Sequence, residues 1–249
     1  MSKHVYFLAA GLAKMIVGII TVLITLQYFE SKYFLRLGAK AWVLAILLKW
    51  LWAVPFHDRT IEWIIKNFSA SKVKIIGFIY SGMLTGITEC GMTLYFVYKY
   101  PRLFESNYNS AVAFGIGFGA FEAVICGLGT LALGVATFLK KYKKPSIDEA
   151  SPQNYELIHI IFPLSERIFA LLLHTFSCVL TVMAVQKDNF HYFTFAFLLK
   201  FICDGYAQLV FLEKKQSSDG NVSQKTFLML QACLVFLALI SLLGLIVLS

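Results

Sequence analysis

Seven stretches of the chain, at residues 5–29, 38–55, 73–98, 110–138, 157–185, 192–212 and 226–248, are long and almost continuously apolar. A helix needs about 20 such residues to cross a ~30 Å hydrocarbon core. Within lipid the backbone must satisfy its own hydrogen bonds, which leaves helices or closed barrels. Runs of this length select helices. Composition leaves little for anything else: of 249 residues, 59% are hydrophobic and 14% charged, far from the soluble norm. The fold class expected is all-α, a polytopic transmembrane bundle of about seven spans, with residues 1–249 as one integral membrane domain. An eighth span or a re-entrant segment is the alternative count. The first run is too long for a cleaved signal peptide and lacks a small-residue cleavage site followed by a soluble domain.

The net charge of +8 does not require a nucleic-acid partner, because the cations fall where topology signals fall. With the N-terminus inside, one side carries Lys3, Arg59, Lys66, Lys72, Lys74, Lys140, Lys141, Lys143, Lys144, Lys214, Lys215 and Lys225. The other carries Lys32, Arg36, Lys99, Arg102 and Lys187. The positive-inside rule then gives N-terminus in and C-terminus out for seven spans. Membrane lipid is an expected partner, and the KKYKK stretch at 140–144 is either a topology anchor or a contact for anionic lipid. KKYKKPSIDEASPQNY (140–155) and EKKQSSDGNVSQK (213–225) read as surface loops. NFS (67–69) and NVS (221–223) match the glycosylation pattern, but this topology puts both inside. Cys90, Cys126, Cys178, Cys203 and Cys233 lie in spans without paired short spacing, and read as small packing residues. There is no convincing internal repeat.

Chemistry must come from ionisable groups inside the spans, each costing about 2.5–3.5 kcal/mol to insert at mid-span. They are Lys14, Lys40, Lys49, Glu89, Glu122, Glu166, Arg167, His174, Lys200 and Asp204. Lys40 and Lys49 lie near the ends of their run and are expected to snorkel to the headgroups. Lys14 is deeper and calls for a carboxylate partner. Glu89 lies three residues beyond Gly86 on the face that also carries Gly82. Gly115, Gly119 and Glu122 share another small-residue face. Such faces admit a neighbouring helix closely. Pro163 precedes Glu166 and should loosen the backbone there. Arg167 and His174 share a stripe with Leu171, whereas Glu166 is turned away and free to bond another helix. Lys200 and Asp204 are one turn apart. All of these could be structural hydrogen bonds and salt bridges, or parts of a polar site.

RLGAKAWVLAILLKWLWAVP, GITECGM, GIGFGAFEA, and SERIFALLLH followed by LLKFICDG occur in that order over residues 36–210. This pattern resembles the YhfC family of intramembrane proteases, relatives of the CAAX-processing and PrsW-type peptidases of bacterial cell membranes. The anterior-pharynx-defective subunit of γ-secretase, a scaffold in the same wider superfamily, has a span echoed by LLHTF at 172–176. The resemblance implies a helical bundle with a polar cavity, in which carboxylates and histidines surround a catalytic water. It also implies departures. Where the family has Glu-Glu-Cys-Gly-Arg, this chain has Thr88-Glu89-Cys90-Gly91-Met92. Phe118 replaces a histidine, and Lys200 replaces another. Glu122, Glu166, Arg167, His174 and Asp204 are kept.

A catalytic zinc takes three protein ligands and an open position. A lysine and a phenylalanine at ligand positions oppose that, so no metal or other cofactor is expected. The leading expectation is a pseudoenzyme: a protease-fold membrane protein with a degenerate centre, acting by binding a transmembrane peptide or protein or a lipid-like partner, or as a subunit. Lys200 would be clamped to Asp204 and a glutamate. The alternative is a peptidase with altered chemistry, in which Glu89 or Glu122 is the base, His174 the acid, and Lys200 the oxyanion stabiliser. The charged interior alone would also suit a transporter or channel subunit.

Overall fold

The computed structural model describes residues 3–29, 32–143, 158–216 and 223–249. Most of the 140–155 connection, and part of 213–225 including most of the NVS tripeptide, lie outside the described residues. The helices are α1 (Lys3–Phe29), α2 (Lys32–Trp52), α3 (Asp58–Asn67), α4 (Ala70–Thr85), α5 (Gly91–Lys99), α6 (Pro101–Phe104), α7 (Tyr108–Lys143), α8 (Ile158–Gln186), α9 (Phe190–Gln216) and α10 (Gln224–Leu248). Among the described residues there is no strand.

Seven of these stretches are long and apolar enough to cross a membrane: His4–Tyr28, Lys32–Asn67, Ala70–Lys99, Tyr108–Leu139, Pro163–Gln186, Phe190–Glu213 and Lys225–Leu248. The protein is therefore an integral membrane protein. No further helix among the described residues qualifies as an eighth span. The second stretch is longer than its apolar run. A π-helical turn at Ala53–His57 carries α2 without a break into α3. The α3 segment is amphipathic, with Ile61 and Ile64 buried among Val73 and Leu212 and its charges outside. At 36 residues this stretch is about 54 Å long at 1.5 Å per residue, well over the hydrocarbon thickness.

The centre of the bundle is α7 with α8, and α1 and α10 lie at its periphery. The sequence of α7 explains its place. Ala111, Ala113, Gly115, Gly117, Gly119, Ala120 and Ala123 leave little side chain between it and its neighbours. A Cβ on Gly115 would stand 2.7 Å from Thr175 Cα of α8, so the two backbones are in contact. Between the small residues, Phe114 and Phe118 of α7 fill the core with Trp42, Phe96 and Val179. Pro163 leaves α8 continuous. It sits in the second turn, where its missing N–H removes one intrahelical hydrogen bond. The outer face of α10 exposes Leu243 and Val247, as a lipid-facing helix should.

Candidate active site

Five stretches of helix converge on one polar cluster. A second π-helical turn, Gly86–Cys90, joins α4 to α5 and adds a residue to the local helical register. Within it Thr88, Glu89 and Cys90 are all buried. Such turns occur often at functional sites. Gly82, one turn earlier, brings this segment onto α9, since a Cβ there would stand 2.5 Å from the Phe201 carbonyl oxygen. Glu89 thus faces Lys200, one residue before Phe201. The Gly115 contact likewise seats Glu122 of α7 beside His174 and Arg167 of α8.

The innermost group is Lys200, whose Nζ donates to Glu89 Oε2 at 2.8 Å. It also touches His174 Nδ1, and lies 3.3 Å from Nε2 of the same ring. His174 Nε2 is 2.7 Å from Glu122 Oε2. An ammonium has only protons to give and a carboxylate only lone pairs. His174 thus lies between the Lys200 ammonium and the Glu122 carboxylate. Trp42 Nε1 donates to the same Glu122 oxygen at 3.0 Å. Arg167 donates from Nη1 to Glu122 Oε1 at 2.9 Å, and from Nη2 to Glu166 Oε1 at 2.6 Å. A continuous run of polar contacts, Glu89–Lys200–His174–Glu122–Arg167–Glu166, therefore passes through the site. A second branch is built on Lys49, which donates to Thr85 Oγ1 at 2.7 Å and Asp204 Oδ2 at 3.1 Å. Its Nζ is 3.9 Å from Glu89 Oε1, and Thr85 also bonds Asp204.

The cluster borders a cavity of about 220 Å³ whose apolar walls include Ile46, Leu173, Ala207 and Leu234. Side-chain exposure rises from 4% at Lys200 and 7% at Glu89 and His174 to 32% at Asp204 and 36% at Glu166. Asp204 and Glu166 thus lie on the more exposed side of the cluster, and Lys200, Glu89 and His174 on its inner side.

The four candidate catalytic residues Glu89, Glu122, His174 and Lys200 are brought together, and so are Glu166, Arg167 and Asp204. Several pairings differ from the sequence reading. Lys200 is matched by Glu89, and Asp204, one turn along α9, turns instead to Lys49 and Thr85. Glu166 bonds its own neighbour Arg167, because the long guanidinium reaches both carboxylates flanking it. Lys49 does not snorkel. It belongs to the stripe Gly38–Trp42–Ala45–Lys49, spaced 4, 3 and 4, whose first three members are buried. That spacing is the signal that could have found Lys49 and Trp42. Lys40 is exposed, as a snorkelling residue should be. Lys14 is half-buried and has no carboxylate partner among the described residues.

Of the replaced motif positions, Thr88, Met92 and Phe118 are absent from the cavity's lining. Thr88 Oγ1 donates to the Leu84 carbonyl oxygen at 2.8 Å, and Met92 packs against the hydrophobic core. Phe118 is fully buried, with its ring centroid 5.2 Å from that of His174 and 5.6 Å from Lys200 Nζ.

An all-helical membrane bundle with carboxylates, a histidine and an arginine gathered at the end of an intramembrane cavity defines the class of intramembrane-protease-like proteins. The sequence model described as YhfC intramembrane metalloprotease matches residues 15–218, and the chain belongs to that family. No curated protein and no solved structure matches it.

The family description implies a metal, and the residues present do not fit one as arranged. Among the described residues, no three His, Cys, Asp or Glu side chains are disposed to hold an ion. The two nitrogens of His174 serve opposite neighbours, and the position common to His174 Nδ1 and Glu89 is taken by the Lys200 ammonium. A second cation there would meet direct repulsion.

Proposed function

We propose that this chain is a non-hydrolytic member of its family, which binds a transmembrane peptide or protein partner, or serves as a subunit, through the protease-type bundle. One observation carries the reading: Lys200 Nζ is ion-paired to Glu89 and seated on His174 Nδ1. Peptide hydrolysis needs a base or Lewis acid free to make hydroxide. Here Glu89 is held by an ammonium, and Glu122 accepts from Trp42, His174 and Arg167. Lys200 supplies internally the positive charge that the carboxylates would otherwise draw from a metal. The cluster then acts as a buried clamp between α2, α4, α7, α8 and α9.

The test is incubation of the protein, reconstituted in lipid nanodiscs, with a panel of labelled transmembrane peptides. Intact peptides, with identical results for Glu122→Gln and His174→Ala, are expected. Cleavage that those two substitutions abolish would overturn the reading. That outcome would establish the second reading, an altered peptidase, which the close approach of Lys200, His174 and Glu122 at the cavity favours.

A further inference from the structure

A second site lies away from the polar cluster, where α1, α2 and α7 meet. Gly18 of α1, Ala39 of α2, and Gly117 and Ala120 of α7 form the floor of a groove of about 310 Å³. Small side chains on all three helices create it: at Gly117 the two backbones touch, for a Cβ there would overlap the Leu35 carbonyl oxygen. Its walls include Val22, Leu23, Phe121 and Val124, and the one charged residue lining it is Arg36. From Gly117 to Val124 the groove runs down about 10 Å of helix, at 1.5 Å per residue. The whole groove lies within stretches able to cross the membrane.

The cations beside it are unlike the others at that end of the bundle. Lys99 bonds the Tyr95 hydroxyl at 2.8 Å. Arg102 lies over the Tyr33 ring at 5.6 Å, and Lys187 over the Tyr192 ring at 5.6 Å. Lys32, Arg36 and Lys40, by contrast, are exposed and have no ion pair, hydrogen bond or ring contact among the described residues. They recur every fourth residue on α2, so they form one stripe along the groove's edge. This end of the bundle is also the one poorer in Lys and Arg, so topology signalling does not explain three cations on one helix face.

We propose that the α1–α2–α7 groove is a binding site for one anionic phospholipid. An acyl chain would lie along the small-residue floor. The phosphate would sit at Arg36, with Lys32 and Lys40 one turn to either side. The apolar groove suits a chain, and the unmatched stripe supplies the charge that selects an anionic headgroup over a zwitterionic one. The site is independent of the polar cluster and of whether the protein cleaves peptides.

The test uses the full chain in phosphatidylcholine nanodiscs doped with phosphatidylglycerol. Lipid retained on the protein is measured by native mass spectrometry after transfer to detergent, with melting temperature recorded in detergent with either lipid. Phosphatidylglycerol should be retained preferentially and raise the melting temperature. The triple variant K32Q/R36Q/K40Q should lower its apparent affinity about tenfold or more, at roughly a few-fold to tenfold per lost cation near the surface. Ala39→Phe, which fills the groove, should abolish retention, and K72Q/K74Q at the other end should change nothing. Equal retention of both lipids would overturn the proposal. So would wild-type retention by the triple variant, or an equal loss in K72Q/K74Q. The triple variant alters only exposed side chains and decides the matter alone if Ala39→Phe fails to fold.

Discussion

Lys200 Nζ and Glu89 Oε2 stand 2.8 Å apart across 111 positions of sequence, with side chains 4% and 7% exposed. They join α9 to the π-turn between α4 and α5 where both line the intramembrane cavity, and each compensates the other's charge there.

Removing one partner strands the other. Lys200→Ala is expected to destabilise the protein by about 3–5 kcal/mol, the usual cost of leaving a buried charge uncompensated. Lys200→Met combined with Glu89→Gln should recover most of that loss. Thermal melts of Lys200→Met, Glu89→Gln and the double variant in detergent give the coupling directly. Additive effects would contradict the clamp.

Lys49 and Lys40 lie on the same helix and should respond differently. Lys49→Ala removes the cation held by Asp204 and Thr85 and is expected to lower the melting temperature clearly. Lys40→Ala should leave it nearly unchanged in detergent without anionic lipid. Equal responses would mean that Lys49 is not part of the cluster.

Metal dependence follows from the ammonium at the cluster's centre. Melting of the native protein is expected to be indifferent to EDTA and to added Zn²⁺. Lys200→His removes the charge and places a third donor beside Glu89 and His174, so this variant should gain a Zn²⁺-dependent rise in melting temperature. Stoichiometric zinc in the native protein, measured by elemental analysis, would refute the metal-free reading.

Packing at Gly115 leaves no space for a side chain, since a Cβ there would stand 2.7 Å from Thr175 Cα. Gly115→Val should separate α7 from α8 at a cost of about 1–3 kcal/mol or more. By displacing Glu122 from His174, it should also weaken the effect of Lys200→Ala when the two are combined. Gly129, with nothing near its would-be Cβ, should accept the same substitution with little loss.

Glu89 and Glu122 were legible because each follows a glycine track. Small residues mark where helices approach, and a charge beside them must be interior. The apolar run 38–55 places Lys49 near a span end, but the helix continues unbroken from Lys32 to Asn67, which makes Lys49 a mid-span residue. One-turn spacing makes Lys200 and Asp204 neighbours on α9 without showing which helix each faces: Lys200 meets a glutamate, Glu89, as expected, while Asp204 meets Lys49 instead.

The sequence by itself determined a helical membrane bundle, the ionisable residues within it and the family pattern. Those properties depend on the length and periodicity of apolar runs, which each segment carries alone. Only the tertiary structure decided which cation meets which anion. That choice depends on the rotation of each helix about its own axis, set by the close contacts at Gly82 and Gly115 and by the π-turn at Gly86–Cys90. Because the interior screens charge weakly, those rotations brought Lys200 to Glu89 and Lys49 to Asp204 across the bundle.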